Sequence, residues 1–600
     1  MPRDIGIHSA TPAHDGDDDL PEYVERDFDV KLRVTLSAHL PDRGSFLIMI
    51  GGSSAGKTRS LYEAIRELVP DWRLFLPAGA ADLLALKNAP PSRTVFWLDE
   101  LQRYLGSSPP LTPECVLALE RNGNLVVGTL WPDQYARWSA AGGETQQLVK
   151  RAVPISVPDT LSAAELHEAN RVAERDGRIR NALDTGDAGM TQALAGGPSL
   201  VLCWEQPSTP YAKAIITAAA DAHRVGVQTP LSEDLLAEAM YGYLKRHERG
   251  RSAEHFLQQA MPHATRPLHG DVRALMEVDG GRPGTRAGFV VADYLAQHLR
   301  RVRRTEPVPA AAWSTLATRL RHPDDLRRLA EGARVRLRFG PAEAALTRLA
   351  YEFHDGRSAV VLADLFIRQD RLDEAVKALR HQKASPLVRH KLAHVDELRE
   401  LVADLRPSAG PGARDLSYEV ADLLADGGVS ERLRRQAAEG DAMAAERLIE
   451  RLADRGCLRE IRDRADRGDR AAAEALADLY VAWGDEELLV ARARGGDQAA
   501  ELRLSKLHRV SARGEAARYE IDALREAVDE GSSQAALDLC TLLFDLRDEA
   551  NLRAELDAGT PGAAEKLIAL YTALEHPSLI HLRAYGLEAD GRLVTPEINP

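Results

Sequence analysis

The stretch Phe46-Leu-Ile-Met-Ile-Gly51-Gly52-Ser53-Ser54-Ala55-Gly56-Lys57-Thr58 constrains this chain more than any other part of it. An apolar run of strand character enters the pattern G-x-x-x-x-G-K-T, and a helix-like segment from Arg59 to Leu68 leaves it. Strand, glycine loop and helix in that order separate a phosphate-binding loop from a chance match. The glycines let the backbone fold back so that several N–H groups converge on phosphate oxygens, with the positive end of the helix behind them. The nucleotide-binding set is therefore Gly51, Gly52, Ser53, Ser54, Ala55, Gly56, Lys57, Thr58 and Arg59. Within it Lys57 is expected to reach the β- and γ-phosphates as a catalytic cation, and the Thr58 hydroxyl to sit on Mg²⁺.

Such a loop needs a second strand that ends in a carboxylate. Arg93-Thr-Val-Phe-Trp-Leu-Asp99-Glu100 supplies it, an apolar run closing on two adjacent acids. Asp99 is expected to hold the metal shell, and Glu100 to orient or deprotonate the attacking water. The bland alternative is that the two acids only cap the next helix. A third run, Asn124-Leu-Val-Val-Gly-Thr129, ends in a polar residue where a strand tip would face the γ-phosphate. Thr129 is thus a candidate nucleotide-binding sensor, or a plain strand-ending threonine. Trp72–Leu76 and Ala152–Val157 complete five short strands, and a five-stranded parallel α/β core over residues 22–158 follows, with its ligand at the carboxyl ends of the strands.

Six hundred residues exceed one hydrophobic core and predict two to four domains. Aromatic residues make up only 5% while Ala, Leu and charged residues abound, so most of the chain should be helical. A net charge of −14 gives no general drive toward nucleic acid or an anionic membrane. The basic run Arg300-Arg-Val-Arg-Arg304 reads as a solvated helix end. Cys115, Cys203, Cys457 and Cys540 lie far apart without C-x-x-C spacing, which points away from disulfides and zinc and toward a reducing, cytoplasmic setting. No stretch reaches the roughly 18 apolar residues of a membrane span. Residues 1–21, with Asp15-Gly-Asp-Asp-Asp19, read as a disordered acidic tail rather than a signal peptide.

Beyond residue 158, Ser162-Ala-Ala-Glu165 is a capping box that opens a helix, and helical segments run on through Leu236–Leu244. Among them lies Leu194-Ala-Gly-Gly197-Pro198-Ser-Leu-Val201. Ala274 to Tyr294 has the pattern of a β-hairpin leading into a helix. This order of parts resembles the STAND class of signal-transduction NTPases. The resemblance implies that residues 159–260 form a helical lid whose Gly197 and Pro198 touch the nucleotide, and that residues 261–304 form a winged-helix-like module. More narrowly, the chain resembles bacterial P-loop proteins that carry a tract like Tyr23-Val-Glu-Arg-Asp27, then S-x-x-G-K-[ST], then W-L-D-[DE], and C-terminal tetratricopeptide-like repeats. Those relatives carry Arg shortly after the sensor strand, where this chain has Trp131, so hydrolysis is expected to be slow or to need a partner's Arg.

Pro307 and Pro309 mark a linker, and residues 305–339 are assigned to it and to the first repeat helices. Glycines then recur at 412, 440, 468, 496, 531 and 559, at spacings of 28, 28, 28, 35 and 28. Eight residues after each stands an apolar residue: Val420, Leu448, Leu476, Leu504, Leu539 and Leu567. Ala444, Ala472, Ala500, Ala535 and Ala563 stand four residues after the last five glycines. Glycine can end one helix in the left-handed conformation while Asp441 or Asp469 caps the next, and the small Ala lets neighbouring helices close. A C-terminal α-solenoid over residues 340–590 is expected, its 35-residue interval being one period with seven residues inserted.

The expected protein is multidomain, α/β plus α: a cytoplasmic regulatory ATPase that uses ATP and Mg²⁺, with the solenoid receiving a protein partner. Homo-oligomers are an implication of the class. The alternatives are a nucleotide-binding scaffold with little hydrolysis, and a transcription regulator; the acidic charge and the lack of a C-terminal helix-turn-helix signature weigh against the latter.

Overall fold

The computed structural model describes residues 20–38, 44–107, 109–140, 142–184, 189–268, 272–282, 284–383, 385–405, 418–507 and 513–594. The acidic tail (residues 1–19 of it), Gly412 and Pro283 of the hairpin lie outside the described residues. The described chain is mixed α/β and mostly helical, and it divides into two compact units. One comprises residues up to 224, 228–303 and 529–533; the other 225–227, 304–528 and the residues from 534 on.

The first unit opens with α1 (Asp27–Ser37), β1 (Ser45–Ile50), α2 (Lys57–Leu68), β2 (Arg73–Phe75) and α3 (Ala80–Leu86). There follow β3 (Thr94–Leu98), α4 (Gln102–Leu105), α5 (Pro113–Arg121), β4 (Leu125–Leu130), α6 (Pro132–Ala140), α7 (Gly143–Arg151) and β5 (Val153–Ser156). All neighbouring strands pair in parallel, in the order β2-β3-β4-β1-β5. Parallel strands are covered on both faces, which is why β3 and β4 are buried throughout and read as unbroken apolar runs. The period of two sorts their side chains. Phe46, Ile48, Phe96, Leu98 and Val126 meet Leu83, Leu119 and Leu148 on one face. Leu47, Met49, Val95, Trp97 and Val127 meet Leu32, Leu36 and Leu61 on the other.

The rest of this unit is helical apart from one hairpin: α8 (Ala163–Ala173), α9 (Gly177–Asp184), α10 (Met190–Leu194), α11 (Gly197–Glu205), α12 (Pro210–Arg224), α13 (Glu233–Ala239) and α14 (Ala253–Ala264). Ser162 caps α8 with the reciprocal Glu165 contact of a capping box. Ala-rich α12 is buried along most of its length and forms the centre against which α14 and α15 pack. β6 (Leu275–Asp279) and β7 (Arg286–Val291) form an antiparallel hairpin, and α15 (Asp293–Val302) leaves it after one residue.

The second unit is helical: α16 (Ala310–Arg319), α17 (Pro323–Arg334), α18 (Phe339–Tyr351), α19 (Gly356–Arg368), α20 (Leu372–Arg380) and α21 (Pro386–Leu405) precede the regular pairs. These are α22 (Tyr418–Asp426) with α23 (Val429–Ala438), α24 (Ala442–Asp454) with α25 (Leu458–Asp466), and α26 (Arg470–Ala482) with α27 (Glu486–Arg494). Then come α28 (Gln498–Leu507) with α29 (Arg513–Asp529), α30 (Ser533–Asp545) with α31 (Glu549–Ala558), and α32 (Ala563–Ala573) with α33 (Leu579–Tyr585). The period has a local cause. Gly440, Gly468 and Gly496 adopt φ of 99°, 92° and 90°, a region where any Cβ is strained, and the next residue, Asp441, Asp469 or Asp497, caps the following helix. The seven inserted residues fall on α29, which has 17 residues where its counterparts α25, α27 and α31 have 9 or 10. Leu448, Leu476, Leu539 and Leu567 are fully buried, whereas Leu504 is only partly so.

Ion pairs one repeat apart join successive pairs: Arg434 to Glu460, Arg451 to Asp426, Arg492 to Asp466 and Arg503 to Asp478. The array departs from a stack in which each repeat touches only its neighbours. α33 also packs on α19 and α22, and α32 on α25. Arg583, buried, reaches Asp422 at 2.6 Å, and Arg338, also buried, reaches Asp557 at 2.7 Å. These buried guanidinium groups need carboxylates, and the fold supplies them from more than 150 positions away, which a 28-residue period cannot foretell.

Among the described residues no helix is long and apolar enough to cross a membrane, and no group of three metal-ligating side chains occurs. The four cysteines are buried and unpaired with one another.

Candidate functional site

The loop between β1 and α2 turns on Gly56, at φ 101°, directly before the first helical residue Lys57. Gly51 and Gly52 are needed for a different reason. A Cβ on Gly51 would lie 2.6 Å from the Val157 carbonyl oxygen, and one on Gly52 2.6 Å from Asp159 Oδ1. The loop is thereby pressed against the end of β5, with the first turn of α2 facing out of the sheet.

Lys57 is 8% exposed and its ammonium folds back on the loop, donating to the Gly51 carbonyl at 2.9 Å and the Gly52 carbonyl at 2.5 Å. Burial lowers its pKa, while Asp99, Asp293, Asp159 and Glu100 oppose that change. Four carboxyl groups thus act on this one ammonium.

Thr129, at the end of β4, joins the two acids that follow β3. Its hydroxyl donates to Asp99 Oδ1 at 2.8 Å and accepts the Glu100 N–H at 2.9 Å. Glu100 itself sits in the left-handed region, φ 51°, a strained conformation for a non-glycine residue that recurs at functional sites. Burial first, then Asp293 and Asp99, push its pKa up to about 8. A carboxyl titrating there can exchange a proton near neutral pH.

These groups line a cavity of about 180 Å³. Ser53 to Arg59, Asp99, Glu100, Thr129 and Trp131 bound it on the sheet side, and Leu20, Pro21, Thr191, Leu194, Ala195 and Asp293 complete it. The structure thus brings Ser53, Ser54, Ala55, Gly56, Lys57, Thr58, Arg59, Asp99, Glu100 and Thr129 to one cavity, with Gly51 and Gly52 beneath it holding Lys57. It does not place Gly197 and Pro198 on the lining. They start α11, and Gly197 packs on the Tyr294 ring, 2.8 Å from where a Cβ would stand. The preceding turn, Thr191 to Ala195, faces the cavity instead.

Three contributors escaped the sequence reading. Asp293 and Gln297, one turn apart at the start of α15, both reach the loop: Asp293 lines the cavity, and Gln297 Oε1 accepts the Ser53 N–H at 2.7 Å. Leu20-Pro21 forms a wall, with the Pro21 carbonyl accepting from Arg59 at 3.3 Å. An acid and an amide four residues apart on a helix are a signal, but only the fold says which way they point. Arg59 is the one arginine among the lining residues, and Glu63 holds it at 2.7 Å. Trp131 occupies the place directly after β4, its ring 5.9 Å from that of His223.

The donor set fits Mg²⁺. A threonine hydroxyl at a helix start and a strand-end carboxylate are hard oxygen ligands. Thr58 and Asp99 are the residues that would hold it. Comparison with protein-family models, with curated proteins and with solved structures gives no match.

Proposed function

We propose that this chain is a regulatory ATPase of the STAND type, in which the nucleotide state of the P-loop cavity switches the surrounding helices and the helical repeats receive a protein partner. The observation that supports it most is the triangle Thr129–Asp99–Glu100, set across the cavity from Lys57. One hydroxyl there feels both the metal-holding acid and the water-activating acid, so a change at the terminal phosphate reaches both strands at once. On binding, Lys57 would exchange the Gly51 and Gly52 carbonyls for phosphate oxygens. Glu100 would orient the attacking water and take up its proton, while Thr58 and Asp99 hold Mg²⁺, which supplies charge neutralisation of the phosphates.

In this reading the helices from 159 to 260 act as the lid, the hairpin and α15 as the winged-helix-like module, and the repeats as a tetratricopeptide-like solenoid. The setting is cytoplasmic and bacterial, and a second copy would supply an arginine in trans. The absence of the guanine-reading N-K-x-D pattern favours ATP. One observation favours a second reading, a nucleotide-binding scaffold: Trp131 stands where relatives carry arginine, and Arg59 is already engaged.

Single-turnover hydrolysis of radiolabelled ATP separates the two. The wild type is expected to form ADP, slowly, and Lys57→Ala to lower that rate by roughly a hundredfold or more. Tight binding with no ADP above the Lys57→Ala level leaves the scaffold; no binding of ATP by the wild type would remove the nucleotide reading altogether.

A further inference from the structure

The segment from Tyr23 to Asp29 makes contacts that lie off the cavity lining. Arg26 is 4% exposed and touches three separate pieces of chain. Its Nη2 donates to the carbonyls of Pro158 at 2.9 Å and Thr160 at 3.2 Å, just past β5. Its Nη1 points at the Ala55 carbonyl of the P-loop, at 3.4 Å. Its Nε stands 3.0 Å from Glu165 Oε1 on α8, an ion pair with both side chains 3% exposed. Glu165 is held in turn by the N–H groups of Asp27 and Ser162, each at 2.7 Å.

The same segment grips the other side of the loop. Tyr23 Oη lies 2.6 Å from Asp29 Oδ2 and 2.8 Å from Ser60 Oγ on α2, and Asp29 Oδ2 also accepts the Arg26 N–H at 2.8 Å. P-loop, α2, the β5–α8 turn and α8 are therefore joined through one buried guanidinium and the backbone beside it.

We infer that Arg26 is a positioning residue that couples the P-loop to α8, so that a phosphate ligand on the loop also orders α8. This rests on the P-loop being a phosphate site. Arginine suits the task because its planar fork holds five donors in fixed directions, whereas lysine offers one compact cation that cannot serve all four acceptors. A buried charge pair transmits displacement because neither partner has water to turn to when the other moves. Coupling of this kind is reciprocal, so loosening α8 must also weaken phosphate binding.

Hydrogen exchange on the full chain tests it, with inorganic pyrophosphate as the probe because it is too small to reach α8 directly. In the wild type, saturating pyrophosphate slows exchange both in the P-loop peptide (52–60) and across α8 (163–173). In Arg26→Lys the P-loop remains protected at saturation, the added protection of α8 is lost, and pyrophosphate binds about tenfold more weakly. Glu165→Gln, which keeps one acceptor oxygen but removes the ion pair and, because its amide NH2 cannot accept, one of the two N–H contacts with Asp27 and Ser162, shows the same split and decides the matter where Arg26→Lys fails to fold. Equal α8 protection in wild type and Glu165→Gln overturns the coupling while leaving the phosphate site standing. No protection of the wild-type P-loop by pyrophosphate overturns both.

Discussion

The parallel sheet and the helical repeats handle charge in opposite ways. The central strands β1, β3 and β4 carry no ionised side chain, and the first charges after β3 come together beyond its end as Asp99 and Glu100. The repeats are dense in charge, and some of it is wholly internal: Glu555 has no exposure, and Arg338 and Arg583 have 2% each. Internal charges in the repeats are matched. Glu555 accepts from Arg304 at 2.6 Å, from Arg525 at 2.9 Å and from Thr560 at 2.6 Å. Around Lys57 one ammonium is shared by four carboxylates, and Arg103 also acts on one of them, Glu100. Paired buried charge sets which helices meet; charge gathered at strand ends around a cavity is the pattern of a candidate functional site.

The largest effect should come from breaking a matched site. Glu555→Ala removes an unexposed carboxylate shared by Arg304, Arg525 and Thr560, and its expected cost is about 3–5 kcal/mol. Urea unfolding followed by circular dichroism measures it. Arg503→Ala removes an inter-repeat pair whose Asp478 is more than half exposed, so water compensates and the cost stays below about 1 kcal/mol. If the two substitutions cost the same, the distinction between internal and surface pairs in this array is wrong.

The site around Lys57 should show itself through pH. Glu100 has its pKa raised from 4.5 to about 8, so the folded state holds a proton that the unfolded chain releases near pH 4.5. Between those values the native state binds more protons than the unfolded one, and stability contributed by this group falls as pH rises. Glu100→Gln removes that penalty. Its thermal midpoint should match the wild type near pH 4.5, exceed it increasingly up to about pH 8, and run parallel above. A constant difference across that range would show that Glu100 titrates as an ordinary surface carboxylate.

The same contrast explains what could be read from the chain beforehand. β1, β3 and β4 were legible because a strand buried on both faces must be an unbroken apolar run, and such runs ending in Gly51, Asp99 and Thr129 put polar groups at strand tips. The repeat period was legible because left-handed Gly440, Gly468 and Gly496 and the caps Asp441 and Asp469 act within a few residues. Contacts that depend on distant packing were not. Asp293 and Gln297 lie some 240 positions from Ser53, Gly197 meets the Tyr294 ring, and Arg338 finds Asp557 219 residues away. In each case the residue type was visible, but the direction it faces is set by the tertiary fold.

The smallest effect sharpens the comparison most, because it concerns one hydrogen bond at the edge of the site around Lys57. Ser53 N–H belongs to the loop whose amides are expected to meet phosphate, and Gln297 Oε1 already occupies it at 2.7 Å. A nucleotide oxygen that takes this amide must displace the glutamine, which then returns to water. Gln297→Ala removes the competitor without touching the charges, and a single neutral hydrogen bond is worth about 0.5–1.5 kcal/mol net. Titration calorimetry should therefore find Mg-ATP binding some two- to tenfold tighter in Gln297→Ala. Weaker binding would mean that Gln297 holds the loop in its receptive shape, and that α15 belongs with the order-giving contacts rather than with competitors for the loop amides.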